Sequence, residues 1–167
     1  MKDRIAEAVE RLMHYCALAL ALALIAAVLL NFANVTARYL LGKAILGADE
    51  MQIFIVIWIT FLGAAVVSWQ DRHLRMDALV DYLPPKFARA LRGIERLLVA
   101  CLAGFAAYHS CKYAAGMFAI RRNSEAAEIP MLFPHSALAA GFALIALIGL
   151  LALVGIKRAE RRYEDSR

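Results

Sequence analysis

The sequence predicts an all-α integral membrane protein with four transmembrane helices and additional amphipathic helices at the membrane surface. Of its 167 residues, 63% are hydrophobic and only 20% are charged, which is more apolar than a soluble domain of this length. The charged residues cluster between apolar blocks of about 20 residues, the length at which a helix crosses the ~30 Å hydrocarbon core. The blocks lack the alternation of barrel strands, so each must satisfy its backbone as a helix.

The four predicted spans lie at about residues 13–34, 50–69, 95–120 and 136–156, and together they form a single membrane domain over residues 1–167. The apolar blocks of the first, second and fourth spans contain no charged residue, whereas the third contains Lys112. Lys112 lies about 22 Å along the helix from residue 97, so we expect its ammonium group to reach the outer lipid headgroups.

The direction of the spans follows from the distribution of basic residues. Fourteen of the 19 Lys and Arg residues fall in the two terminal tails and in the connection between the second and third spans. Only Arg38, Lys43, Arg121 and Arg122 fall in the other two connections. Because cytoplasmic segments hold the excess of basic residues, we predict that both termini are cytoplasmic.

Two segments have the pattern of amphipathic interfacial helices, at about residues 2–12 and 73–83. In the first, Ile5, Val9 and Leu12 share one helical face, and two alternatives remain open, namely a helix lying on the membrane and a cytoplasmic extension of the first span. The second segment ends at two prolines. The basic residues that follow them recur every three or four positions and are predicted to bind phospholipid headgroups; they are Lys86, Arg89, Arg92 and Arg96.

Ionisable residues at the ends of the spans are the first candidates for function. Arg38 follows the first span, and Asp49 and Glu50 precede the second on the same outer side. The short connection therefore brings opposite charges together, and we expect an ion pair there. In particular, we expect Arg38 and Glu50 to tie the two span ends together or to bridge to a partner. Trp58, in the middle of the second span, is predicted to pack on a partner helix or on lipid.

No pattern in the sequence indicates an enzyme. We find no hydrolytic triad, phosphate-binding loop or metal-ligand cluster, and we predict no catalytic, substrate-binding or metal-binding residue and no cofactor. His109 has no second histidine at a matching depth with which to ligate a haem. The net charge of +5 arises from basic residues that flank apolar blocks, which indicates phospholipid and not nucleic acid as the counter-charge.

A series of short motifs, taken in order and spacing over about residues 30–145, resembles one known family. The motifs are Asn34-Val35 with Arg38-Tyr39, Asp49-Glu50, Trp58 followed by Phe61-Leu62-Gly63-Ala64-Ala65, His73-Leu74-Arg75-Met76-Asp77, Leu83-Pro84-Pro85, Glu128-Ile129-Pro130 and Gly141-Phe142. Together they are similar to the small membrane subunit, called DctQ-like, of tripartite ATP-independent periplasmic (TRAP) transporters.

The resemblance implies the small scaffold subunit of a sodium-coupled transporter for organic acids in the bacterial inner membrane. Such a subunit pairs with a large membrane subunit, which binds substrate and sodium and moves by an elevator motion, while a soluble periplasmic protein delivers the substrate. The uncharged spans agree with a scaffold, because they offer no mid-membrane site for a solute and ample small-residue surface for packing. The expected contacts with the partner are Arg38, Asp49, Glu50 and Trp58.

The outer connections, at residues 39–49 and 121–134, are expected to form part of the surface on which the periplasmic binding protein docks. The candidate docking residues are Lys43, Arg121, Arg122, Glu125 and Glu128. Charges of both signs suit a partner that must bind and leave.

Two other functions remain as alternatives. A stand-alone small multidrug-type exporter would need an acidic residue within a span, and a haem-bearing membrane anchor of a respiratory enzyme would absorb visible light.

Overall fold

A computed structural model describes residues 2–70 and 84–154 of the chain and shows four long helices there. They are α1 (Lys2–Leu40), α2 (Ala48–Trp69), α3 (Pro85–Ala119) and α4 (Leu132–Leu153). The prediction of an all-helical protein is confirmed. The predicted interfacial helix at 73–83 and the basic C-terminal tail lie outside the described residues.

Helix α1 runs without interruption over 39 residues, or about 58 Å. Residues 2–12 therefore continue directly into the first predicted span, which is the geometry of a helical extension. The helix also continues beyond residue 34 and ends just before Gly42, whose φ of 68° is left-handed. Glycine adopts that conformation without steric cost, so the chain turns there.

Three of the four helices are long and apolar enough to cross a membrane, namely α1, α2 and α4. Helix α3 has the length but a less apolar composition, because the segment from Tyr108 to Tyr113 contains histidine, serine and lysine as well as the two tyrosines. Its predicted role as the third span therefore stays a prediction. Helix α3 begins at Pro85. Proline is tolerated in the first turn of a helix because the backbone N–H at that position has no helical partner in any case.

The helices pack as a row in the order α1, α2, α4, α3, since the extensive contacts join α1 with α2, α2 with α4, and α4 with α3. Small residues between neighbouring helices allow the helix axes to lie close together. Ala65 and Ala137 have no exposed surface, and a Cβ at Gly141 would lie only 2.7 Å from the Phe61 carbonyl oxygen. Helices α2 and α4 thus approach each other backbone to backbone, as membrane helices do at small residues.

Large apolar side chains cover the outside of the row. Leu22, Ile25 and Leu29 on α1 are each more than half exposed, and the buried cluster in which Met13 and Trp69 lie is small. A surface this apolar would be unusual in water and is suited to lipid or to a protein partner.

Candidate functional site

The connection between α1 and α2 (residues 41–47) meets the connection between α3 and α4 (residues 120–131) at one end of the helix row, which we call the double-loop end. Gly47 lies at the meeting point with φ of 76°, and a Cβ placed on it would stand 2.9 Å from the Ala127 Cα. Only glycine satisfies both the left-handed backbone and this close approach. The two predicted outer connections therefore form one continuous surface.

Hydrogen bonds from the buried side chain of Asn34 hold the first connection in place. Asn34 is the one buried polar residue in the described part of the chain, at 2% exposure. Its side-chain oxygen accepts a hydrogen bond from the Ile45 N–H at 2.9 Å, and its side-chain nitrogen donates to Asp49 Oδ1 at 2.8 Å. The amide oxygen and the amide nitrogen of Asn34 thus each make a hydrogen bond. Together they fix the positions of the first connection and of the start of α2 relative to α1.

Arg38 lies one turn after Asn34 and donates to the other Asp49 oxygen at 3.5 Å. The two side chains are 54% and 69% exposed, so water screens the pair and its energy is small. The expected ion pair between the two span ends is thus present. Its acidic partner is Asp49, and the specific pairing of Arg38 with Glu50 is not formed.

Glu50 instead binds the second connection. Its carboxylate accepts backbone N–H groups from Glu125 at 3.2 Å, Ala126 at 3.0 Å and Ala127 at 2.7 Å. The Ser124 hydroxyl lies close to the same carboxylate. Glu50 also lies in the first turn of α2, where a negative charge is favoured by the helix dipole. One side chain therefore joins α2 to a loop that follows it by some 75 residues.

The second connection also closes on itself. The Ser124 N–H donates to the Ile129 oxygen at 2.9 Å, and the Ile129 N–H donates back to Ser124 Oγ at 3.2 Å. The Met131 N–H bonds to the Arg122 oxygen at 2.9 Å. These bonds make a compact turn whose shape is set by its own backbone and by the Glu50 carboxylate.

The five charged residues predicted for docking all lie on the exposed side of the double-loop end. They are Lys43, Arg121, Arg122, Glu125 and Glu128. Arg121 and Glu128 both have left-handed backbones, with φ of 48° and 54°, so they mark the two bends of the second connection. The loop turns its backbone toward Glu50 and leaves these side chains in solvent.

Trp58 lies apart from this surface. It is half-buried on α2, and its ring stands 5.4 Å from that of Phe133 at the start of α4. Its indole nitrogen is buried without a hydrogen-bond partner among the described residues. Trp58 therefore joins α2 to α4 within the chain, and its expected contact with a partner helix or with lipid stays a prediction. The predicted headgroup residues lie in the first turns of α3, and Arg96 is half-buried there.

Sequence reasoning missed three residues of the double-loop end. Asn34 enters the sequence motifs without a predicted contact, although its position one helical turn before Arg38 places both on the same face. Gly47 directly before an acidic helix start is a recognisable turn signal. Ser124 offers no local signal, because its partner Glu50 is remote in the sequence.

Comparison with known proteins gives consistent matches. Residues 27–158 match the family described as tripartite ATP-independent periplasmic transporters, DctQ component. The chain is 30% identical over 110 residues to the ectoine TRAP transporter small permease protein TeaB of Halomonas elongata, covering 66% of this chain and 57% of that protein. It is 35% identical over 77 residues to the C4-dicarboxylate TRAP transporter small permease protein DctQ of Vibrio cholerae, covering 46% and 32%.

A third relative is the isethionate TRAP transporter permease protein DctMQ of Oleidesulfovibrio alaskensis. The identity is 28% over 114 residues, which is 68% of this chain but 18% of that protein. The chain therefore spans a little over half the length of the Halomonas relative and smaller shares of the other two.

Proposed function

This chain belongs to the DctQ component family of the tripartite ATP-independent periplasmic transporters, and we propose that it is the fixed scaffold subunit of a sodium-coupled transporter for organic acids. It pairs with a large membrane subunit, and its double-loop end helps to dock the periplasmic binding protein. The observation on which this rests is the family match over residues 27–158. The family match gives no support to the exporter or haem-anchor alternatives.

The packing supports a fixed scaffold. Gly141 and Phe61 bring α2 and α4 into backbone contact, and Asn34 and Glu50 tie both connections to the helix ends. An element fastened this way at several points is suited to stay in place while another subunit moves.

The pairing with a large subunit is supported by the isethionate relative. That permease protein contains a segment similar to this chain, and the matched segment is only 18% of its length. A small-subunit segment joined to a much longer permease polypeptide supports a large membrane partner for the separate chain. The three relatives are named for three different solutes, so we propose that the partners determine the substrate.

Reconstitution tests this function. The purified chain alone in liposomes should take up no organic acid with or without a sodium gradient, whereas co-reconstitution with its large subunit and binding protein should give sodium-dependent uptake. Uptake by the chain alone would overturn the scaffold proposal.

The proposed topology places both termini in the cytoplasm and the double-loop end in the periplasm, in the bacterial inner membrane. In a cysteine-free background, Gly42→Cys and Asn123→Cys should react with an impermeant thiol reagent added to intact cells, and Ser166→Cys should react only after lysis. The reverse pattern would invert the orientation.

The docking proposal rests on the exposed charges of the double-loop end. Arg121 and Arg122 are both exposed, and charges at the rim of an interface act mainly on the association rate and its salt dependence. Reversing both to Glu should therefore raise the binding-protein concentration needed for half-maximal uptake, most of all at low salt, and leave assembly with the large subunit intact. Unchanged uptake across the whole titration would make them headgroup anchors. Arg4→Glu with Arg11→Glu, on the distant end of α1, is the matched control.

A further inference from the structure

We propose that the outward side of α3 is the surface on which the large membrane subunit packs; this rests on the proposed function and adds the location of the interface. We call this surface the α3 edge and define it by Leu98, Cys101, Phe105, His109 and Lys112. These residues recur every three or four positions, so they follow one side of the helix. All five are exposed.

The location of α3 makes this side available. Helix α3 is the last helix of the row and packs against α4, with Ala100 close to Gly149. Four of its alanines are buried, namely Ala100, Ala103, Ala107 and Ala114. The first three of these alanines recur every three or four positions and Ala114 follows Ala107 by two turns, so all four lie on the side of the helix opposite the α3 edge. The chain's own helices thus cover the alanine side, and within residues 2–70 and 84–154 none covers the other.

The chemistry of the α3 edge does not suit lipid. His109 stands about 15 Å along the helix from its end at Ala119, too deep for a short side chain to reach the headgroups. Its ring is packed by Phe105 at 4.4 Å and by Tyr108 at 5.3 Å between centroids. Lys112 lies one turn closer to the end, is exposed, and makes no ion pair with any described residue. Its long side chain can bring the ammonium group to the headgroups, as the sequence leads us to expect, so His109 carries the argument against lipid, and a partner oxygen at that depth would bind Lys112 in place of a headgroup. Charged and polar groups at such positions are stable when protein covers them.

The other edge of the row provides a contrast. Among the described helices, α1 also has a neighbour on one side only, and its exposed residues from Leu18 to Leu29 are all apolar. Such a surface is at no disadvantage in lipid. The two edges therefore differ in polarity. The α1 edge is apolar and suits lipid, whereas the α3 edge carries polar side chains and suits a protein partner.

The same groups define the partner. The α3 edge should meet a transmembrane helix of the large subunit that presents a carboxylate or amide oxygens opposite His109 and Lys112, since both side chains donate hydrogen bonds. The added Cβ of an alanine at Gly116, one turn after Lys112 on the same side, would meet nothing within 4 Å in this chain, so the partner helix has room to approach closely there.

Native Cys101 allows a direct test in the assembled transporter. A variant with Cys16→Ala and Cys111→Ala keeps Cys101 as its one thiol. In the complex with the large subunit, Cys101 should react with a membrane-permeant maleimide at least fivefold more slowly than in the chain alone. A thiol placed on the α1 edge by Leu22→Cys, in a cysteine-free chain, should react equally in both.

Two substitutions test the chemistry. His109→Leu and Lys112→Leu should each lower recovery of the chain with a tagged large subunit by roughly tenfold, the cost of a lost hydrogen bond to a charged group. Neither should lower the thermal stability of the chain alone, because both side chains are exposed. Protection of the α1 thiol with free reaction of Cys101, or full recovery of both leucine variants, would overturn the assignment. If wild-type chain and large subunit do not associate at all, the proposed function fails as well.

Discussion

The close approach of α2 and α4 at Gly141 can be tested with three glycine-to-alanine substitutions that differ only in their surroundings. At Gly104, the added methyl group meets nothing within 4 Å. At Gly149, it would lie 3.0 Å from the Ala100 Cβ. At Gly141, it would lie 2.7 Å from both the Cβ and the carbonyl oxygen of Phe61. The chemical change is identical, so differences in stability report the helix contacts.

The magnitudes follow from two opposing terms. Alanine stabilises the interior of a helix relative to glycine by about 0.8–1 kcal/mol. At Gly141, the methyl group stands about 1 Å inside normal contact distance from fixed backbone atoms, so α2 and α4 must separate, at a cost near the upper end of the roughly 1–3 kcal/mol typical of overpacking. The net loss is therefore about 2 kcal/mol, which corresponds to a fall in Tm of about 4–8 °C for a chain of this size.

Thermal unfolding of the purified variants in one detergent, followed by circular dichroism, measures the series. Gly104→Ala should raise Tm by about 2–4 °C, Gly149→Ala should change it little, and Gly141→Ala should lower it. Equal upward shifts for Gly104→Ala and Gly141→Ala would refute the backbone contact between α2 and α4.

Three further changes address the double-loop end. Asn34→Ala removes two hydrogen bonds from a buried side chain and should cost roughly 2 kcal/mol in the same assay, whereas Asn31→Ala, on an exposed asparagine of the same helix, should leave Tm unchanged. Glu50→Ala releases the backbone amides of residues 125–127, so their exchange with deuterium should accelerate by about tenfold or more; unchanged exchange would show that the loop holds its shape without the carboxylate. A double-mutant cycle with Arg38→Gln and Asp49→Asn, which keeps an oxygen for the bond from Asn34, should give a coupling of at most about 1 kcal/mol, and strictly additive losses in that cycle would argue against the pair.

The helices were predictable because their signal is composition over a long window. Runs of apolar residues locate α2 and α4 to within four residues, whereas α1 begins 11 residues before its predicted span and ends 6 residues beyond it. The predicted fourth span starts at about 136, because Pro134 and His135 interrupt the apolar block. The helix begins at Leu132 all the same, since a proline in the first turn replaces a backbone N–H that has no helical partner.

The site was predictable only where its partners are close in the sequence. Arg38 and Asp49 are joined by a short connection, so the likelihood of an ion pair could be argued from position alone. The hydrogen-bond partners of Glu50 are backbone amides of remote residues, and backbone groups are the same in every residue type. No composition or spacing could therefore show that Glu50 turns toward the second connection and that Asp49 takes its expected place beside Arg38.

The order of the helices in the row has a consequence for how the protein is made. Helix α3 has extensive contacts with α4 and with no other described helix, yet α4 is synthesised after it. The least apolar helix thus leaves the ribosome before α4, the described helix against which it packs, exists. We expect α3 to remain beside the insertion machinery until α4 emerges and to enter the bilayer with it as a helical hairpin, so that a chain truncated before Leu132 inserts α1 and α2 and leaves α3 outside the lipid.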